Sequence, residues 1–160
     1  MTCERTDWNT PANVLEVVNA IDEIGLDPCS NPNSIVKAKT TYTLPKQDGL
    51  RRPWTRRGLV YVNPPYGREI VAWMRRCQQQ AARGVEIVAL VPVRADTRWW
   101  HTYCVPPKAD AVCFWQGRLR FLGAPTCAPF SSALVYWGPR RPAFLRAASK
   151  VGALWYINTK

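Results

Sequence analysis

The sequence has a single histidine, His101, and only eleven acidic residues against twenty-two lysines and arginines. Its six cysteines (Cys3, Cys29, Cys77, Cys104, Cys113 and Cys127) show no CxxC pair and no Cys/His zinc spacing. A reduced, cytoplasmic protein without metal or structural disulfides is therefore expected. No apolar run approaches the length that crosses a bilayer. Residues 1–9 are polar and acidic, without the apolar segment of a signal peptide. Internal repeats and Ser/Gly linkers are also missing. Residues 1–160 are thus expected to form one domain, large enough for a sheet with covering helices.

Positive charge and tryptophan are abundant. The formal net charge is +11, sixteen of the basic residues are arginine, and eight tryptophans and fourteen prolines are present. Arg and Lys neutralise phosphates and release counterions, so this balance favours a polyanionic partner. A basic surface kept for solubility is the plainer alternative.

Thr10-Pro11 reads as a helix start, with Thr as N-cap and Pro at the first helical position. Val14, Leu15, Val18 and Ile21 then share one face. Residues 24–26 form a short strand ending in Asp27-Pro28-Cys29-Ser30, and residues 31–38 suit a helical turn. Residues 40–57 read as a flexible basic loop. Residues 59–62 are a buried strand, and residues 68–83 a helix with Ile70, Val71, Met74 and Cys77 inward and Gly84 as its stop. Residues 86–93 are nearly continuously apolar, as in the middle of a parallel sheet. Asp96 can cap a short helix through Trp99, Trp100 and Tyr103. Residues 111–115 and 118–121 read as a hairpin turning at Gln116-Gly117, followed by strands at 132–137 and 153–157. This order predicts an α/β sheet with an antiparallel edge. Ligands of such sheets gather beyond the carboxyl ends of the strands, where Asp27 and Asn63 both fall.

Asn63-Pro64-Pro65-Tyr66 closes the strand at 59–62 and leads through Gly67 into a helix. The two prolines fix the backbone, so the Asn side chain and a main-chain carbonyl can face one space. Two such acceptors suit an exocyclic amino group, with the Tyr ring stacked on the flat group that carries it. Methylation of a planar amino group fits this arrangement. The plainer alternative makes Asn63 a helix cap and Tyr66 a packed surface aromatic.

From about Trp8 to Trp137 the chain resembles the small phage-type DNA N6-adenine methyltransferases, the Dam-like phage group. The matching series is Trp8-x-Thr10-Pro11, Leu26-Asp27-Pro28-Cys29, Asp48-Gly49-Leu50 with Trp54, and Val62 to Gly67. It continues with Pro92, Arg94, Asp96, Thr97, Trp100 and His101, then Gly117-Arg118-Leu119-Arg120-Phe121 and Ala128-Pro129-Phe130-x-Ser132. The resemblance implies a Rossmann-like sheet that uses S-adenosylmethionine to methylate N6 of adenine in DNA, in a bacterial host if phage- or prophage-encoded. Two departures stand out. Asp27-Pro28-Cys29-Ser30-Asn31-Pro32-Asn33-Ser34 lacks the glycines usual after the acidic residue. Only 35 residues separate Asp27 from Asn63, too few for two strand–helix units, so one side of the sheet should be reduced.

On this resemblance Asn63, Pro64, Pro65 and Tyr66 are catalytic, holding a flipped-out adenine. Trp8, Thr10, Pro11, Asp27, Pro28, Cys29, Ser30 and Asp48 surround the cofactor, with Asp27 toward its cationic amino-acid end and Trp8 or Trp54 against the adenosine or sulfonium. Asp48 would accept from the cofactor's adenine or ribose. Arg51, Arg52, Arg56, Arg57, Arg94, Arg118 and Arg120 would contact DNA. Plainer readings remain: Asp27-Pro28 as a turn initiator, Trp99 or Trp100 as core, His101 as a hydrogen-bonded structural residue, an Arg94–Asp96 ion pair, and a solvated 51–57 loop. Rival activities are methylation of RNA adenine or of protein glutamine; a rival class is a basic DNA-binding module that has lost catalysis.

Overall fold

The computed structural model describes residues 8–158; Cys3 and most of the polar stretch 1–9 lie outside the described residues. Seven strands form one mixed sheet: β1 (Ile24–Asp27), β2 (Thr40–Thr41), β3 (Leu59–Val62), β4 (Ile87–Pro92), β5 (Ala111–Trp115), β6 (Ser132–Trp137) and β7 (Gly152–Trp155). Their order is β2-β1-β3-β4-β6-β5-β7. The first four neighbours run parallel, whereas β6 is antiparallel to β4 and β5, and β7 is antiparallel to β5.

Helices α1 (Ala12–Asn19) and α3 (Arg141–Ala148) pack on one face with Leu59, Tyr61, Val88 and Leu90. Helix α2 (Ile70–Ala81) and a π-helical turn, Trp100–Cys104, pack on the other with Val60, Val62, Ile87, Ala89 and Val91. Every residue of β3 and β4 is consequently buried, as expected when both faces are covered. Beyond β1 the sheet holds only the two-residue β2, so that side is short, as the spacing implied. Gly25 permits the close approach of β1 to the chain entering β3, because a Cβ there would lie 2.0 Å from the Arg57 carbonyl oxygen.

Several local expectations are corrected. Helix α1 starts one residue late: Pro11 is its cap, and Thr10 bonds the Tyr61 hydroxyl at 2.8 Å instead of capping. Residues 31–38 hold a single hydrogen-bonded turn, Ser34 N–H to the Asn31 carbonyl at 3.0 Å, and no helix. There the Asn31 and Ser34 side chains accept from the Asn33 and Val36 amides (3.0 and 3.2 Å), local bonds that compete with helix. Within 40–57, β2 adds an edge strand, and Trp54 is buried with its indole N–H donated to the Gly49 carbonyl at 2.8 Å. Asp96 caps nothing; Thr97 donates to the Arg94 carbonyl at 2.7 Å, and His101 lies 2.7 Å from the Ala95 carbonyl, the structural role expected of it. Both Trp99 and Trp100 are core.

The hairpin at 111–121 does not form. β5 pairs with β6 and β7, and residues 118–121 cross as a loop that buries Leu119 and Phe121 while Arg118 and Arg120 stay exposed. Alternating burial there comes from packing rather than from a ladder. Helix α3 has no counterpart in the sequence reading, although Phe144, Ala147 and Ala148 are spaced as an inward face. Just before it, Arg140 binds Glu86 and Asp22 (2.6 Å to the latter), and Tyr136 donates to Glu86 at 2.5 Å. The Asp22 carboxyl is held below its usual range chiefly by its hydrogen bond from Arg140. No helix among the described residues is long and apolar enough to cross a membrane.

Candidate active site

A cavity of about 340 Å³ opens beyond the carboxyl ends of β1 and β3, within the range of ligand pockets. Residues 8–10, 27–32, 48–50 and 63–65 line it, together with Glu69 and Trp73 at the start of α2. The walls carry Asp27, Asp48 and Glu69 and no lysine, arginine or histidine. These carboxylates do not converge as metal ligands, and no such cluster occurs among the described residues.

Asp27 closes β1 and is only 3% exposed. Burial pushes its pKa up to about 6, against the opposing pull of hydrogen bonds from the Cys29 amide (3.1 Å) and the Ser30 side chain. Asp48 accepts from the Leu50 amide at 3.0 Å and pairs with Arg51 at 3.3 Å. The Cys29 thiol donates to the Asn63 carbonyl at 3.2 Å, which ties the Asp27 turn to the Asn63 turn. Burial, then the Asp27 charge, raises the Cys29 pKa and keeps this sulfur a donor.

Asn63 is fixed through its amide nitrogen, which donates to the Trp8 carbonyl and, at 3.0 Å, to Thr10 Oγ1. With both N–H bonds engaged, Oδ1 is left buried and without a partner. Helix α2 begins at Ile70 with no side-chain cap, so Asn63 is not its cap. Pro64 and Pro65 line the same cavity, whereas Tyr66 does not. The Tyr66 hydroxyl donates to the Leu90 carbonyl at 3.3 Å, and its ring meets Phe121 and Phe130 edge-on, with centroids 6.3 and 5.5 Å away. Trp8 packs on the same two phenylalanines at 5.2 and 5.3 Å while lining the cavity.

Of the expected cofactor residues, Trp8, Thr10, Asp27, Pro28, Cys29, Ser30 and Asp48 come together here; Pro11 is buried outside the lining. Trp54 does not reach the cavity. It stacks behind Trp73 with ring centroids 6.5 Å apart. Gly49 permits the 48–50 segment to close on the Asp27 turn, since a Cβ on it would lie 1.9 Å from the Pro28 carbonyl oxygen. Arg51, Arg52, Arg56, Arg57, Arg94, Arg118 and Arg120 are all exposed and outside the lining; no ion pair joins Arg94 to Asp96. Glu69 and Trp73 were missed by sequence reasoning. Their i, i+4 spacing directly after the proline turn is the signal that could have found them.

Comparison with curated proteins finds no match. Residues 1–134 match the family described as DNA N-6-adenine-methyltransferase (Dam), and on that match the chain belongs to this family of DNA adenine methyltransferases.

Proposed function

We propose that the chain methylates N6 of adenine in DNA with S-adenosylmethionine as donor, on a reduced Rossmann-like sheet. The observation that carries this reading is the cavity's charge: three carboxylates and no base, in a chain of net charge +11. A phosphate-bearing nucleotide would be repelled there, whereas a nucleoside with sulfonium and ammonium centres would be drawn in. Asp27 faces the ammonium end and gains the counter-charge that its buried carboxylate lacks. Asp48 accepts from the ribose or the adenine amino group, and Trp8 offers an aromatic face to the nucleoside or the cation.

When bound, this donor presents a methyl group open to in-line attack by a nitrogen lone pair. Asn63 Oδ1 accepts a hydrogen bond from one N6–H of adenine and the Pro64 carbonyl from the other, stabilising positive charge as it develops on nitrogen. Neutral Asn holds no proton, so the surplus proton leaves to solvent. The target base must first leave the duplex. It stacks on Tyr66 once half-buried Phe130 swings aside, while the exposed arginines hold the backbone phosphates.

Transfer of tritiated methyl to adenine-containing DNA tests this. Asn63→Ala should lose about 10²- to 10³-fold in rate, as when one preorganised polar group is removed from a transition-state site, with an unchanged circular dichroism spectrum. An unaltered rate would remove Asn63 from the mechanism. The family favours DNA over RNA adenine or protein glutamine as acceptor. Protein that binds DNA but no labelled S-adenosylmethionine would be a binding module instead.

A further inference from the structure

A second concavity, an open notch of about 390 Å³, lies along the carboxyl-terminal half of α2, between that helix and the 51–56 segment. Four arginines line it, Arg51, Arg56, Arg76 and Arg83, and no carboxylate does. Among the described residues Arg56, Arg76 and Arg83 have no ion-pair partner, and Arg51 pairs only with Asp48. Arg76 is the fixed member. Its guanidinium sits 5.8 Å from the Trp54 ring centroid, and Nη2 donates to the Arg52 carbonyl at 2.7 Å. Its Nε is buried with no acceptor, an unfavourable state for a charged donor. Burial, then the charge of Arg83, lowers the Arg76 pKa. The favourable field at a helix carboxyl terminus accounts for Arg83; it does not account for burying the Arg76 Nε.

We propose that this notch is a phosphate-binding site that takes a backbone phosphate of the DNA substrate, outside the cofactor cavity. Forked guanidinium groups match tetrahedral phosphate oxygens, and a bound phosphate supplies the acceptors that the Arg76 guanidinium lacks. Glu69 on the cavity rim and Gln80 in the notch are eleven residues apart, roughly 16 Å at helical rise. That is about five nucleotides of a strand at 3.4 Å each, so one DNA segment can span both. The source of the phosphate rests on the methyltransferase reading; the phosphate chemistry does not.

The test uses the full chain and follows the Trp54 indole N–H resonance, assigned with Trp54→Phe. Inorganic phosphate and a labelled DNA duplex are titrated separately into wild type, Arg76→Gln and Arg83→Gln. Both ligands should shift the resonance in wild type, and each variant should lose the phosphate response. Each should also flatten the slope of log affinity for DNA against log salt by about one, while S-adenosylmethionine binding is retained. A resonance that ignores phosphate and DNA alike overturns the site. Variants with the wild-type salt slope overturn its role toward DNA. Wild type that takes phosphate but no DNA keeps the notch as a site for a free phosphate group and overturns the DNA reading instead.

Discussion

The cavity at the strand ends and the notch beside α2 are of similar volume and opposite charge. Asp27, Asp48 and Glu69 line the first without a base; Arg51, Arg56, Arg76 and Arg83 line the second without an acid. The stacked pair Trp54–Trp73 stands between them, with Trp73 on the cavity side and Trp54 on the notch side. A net charge of +11 is therefore a poor guide to what each hollow binds. Placement decides it, because Coulomb forces at a few ångströms in a protein wall outweigh distant charges screened by salt. Buried carboxylates differ in the same way. Glu86, 8% exposed, is satisfied within the fold by Arg140 and Tyr136, while Asp27, 3% exposed, has amide and side-chain donors but no cation. One is paired with a cation within the fold, and the other has none beside it among the described residues.

The strongest way to break this contrast is Asp27→Asn. It should weaken S-adenosylmethionine about 100-fold in calorimetry, as loss of one member of a buried charged contact does. The same change should raise unfolding stability by up to about 3 kcal/mol at pH 8. The sign follows from folding lifting the Asp27 pKa from 3.8 to about 6. The native state binds the extra proton, so the burden is full above pH 6 and fades as pH falls toward 4. The gain in the variant should fade over that same window in urea titrations. Glu86→Gln should do the reverse, lowering stability by about 2 kcal/mol through an under-satisfied Arg140 with cofactor affinity unaltered. Wild-type affinity for the cofactor should fall as pH drops below about 6, approaching tenfold per pH unit, because protonated Asp27 offers no counter-charge; Asp27→Asn should show a flat profile. The smallest effect is expected of exposed Glu69, where Glu69→Gln should cost no more than about fivefold in affinity, in keeping with a solvated ion contact.

Much of the scaffold was legible because it rests on periodicity. The apolar faces of α1 and α2 and the continuous runs of β3 and β4 are local patterns, and each reports burial directly. Pairing was not legible. Arg118-Leu119-Arg120-Phe121 alternates like a strand, yet Phe121 packs on Trp8 and Tyr66 from a loop, and β5 takes β6 and β7 as neighbours. Residues 31–38 stop at one turn for another reason, since Asx- and Ser-type side-chain bonds compete with helical ones. At the site, Asp27, Asn63 and the prolines were recognisable from strand ends and turn chemistry. Trp8 and Trp54 are alternatives in the sequence and only Trp8 lines the cavity, because sequence cannot distinguish a wall from the residue that backs it.

By itself the sequence determined the proline turn after β3, the acidic turn after β1, the excess of arginine and the strands that both helical layers bury, since each depends on neighbours within a few residues. Tertiary structure alone decided that Gly49 lets the Pro28 turn close, that Trp8 and Thr10 hold the Asn63 amide and strand its oxygen, and that acids and arginines sort into separate hollows. Those outcomes rest on contacts between residues tens of positions apart. Chain order leaves such contacts open until packing selects one arrangement.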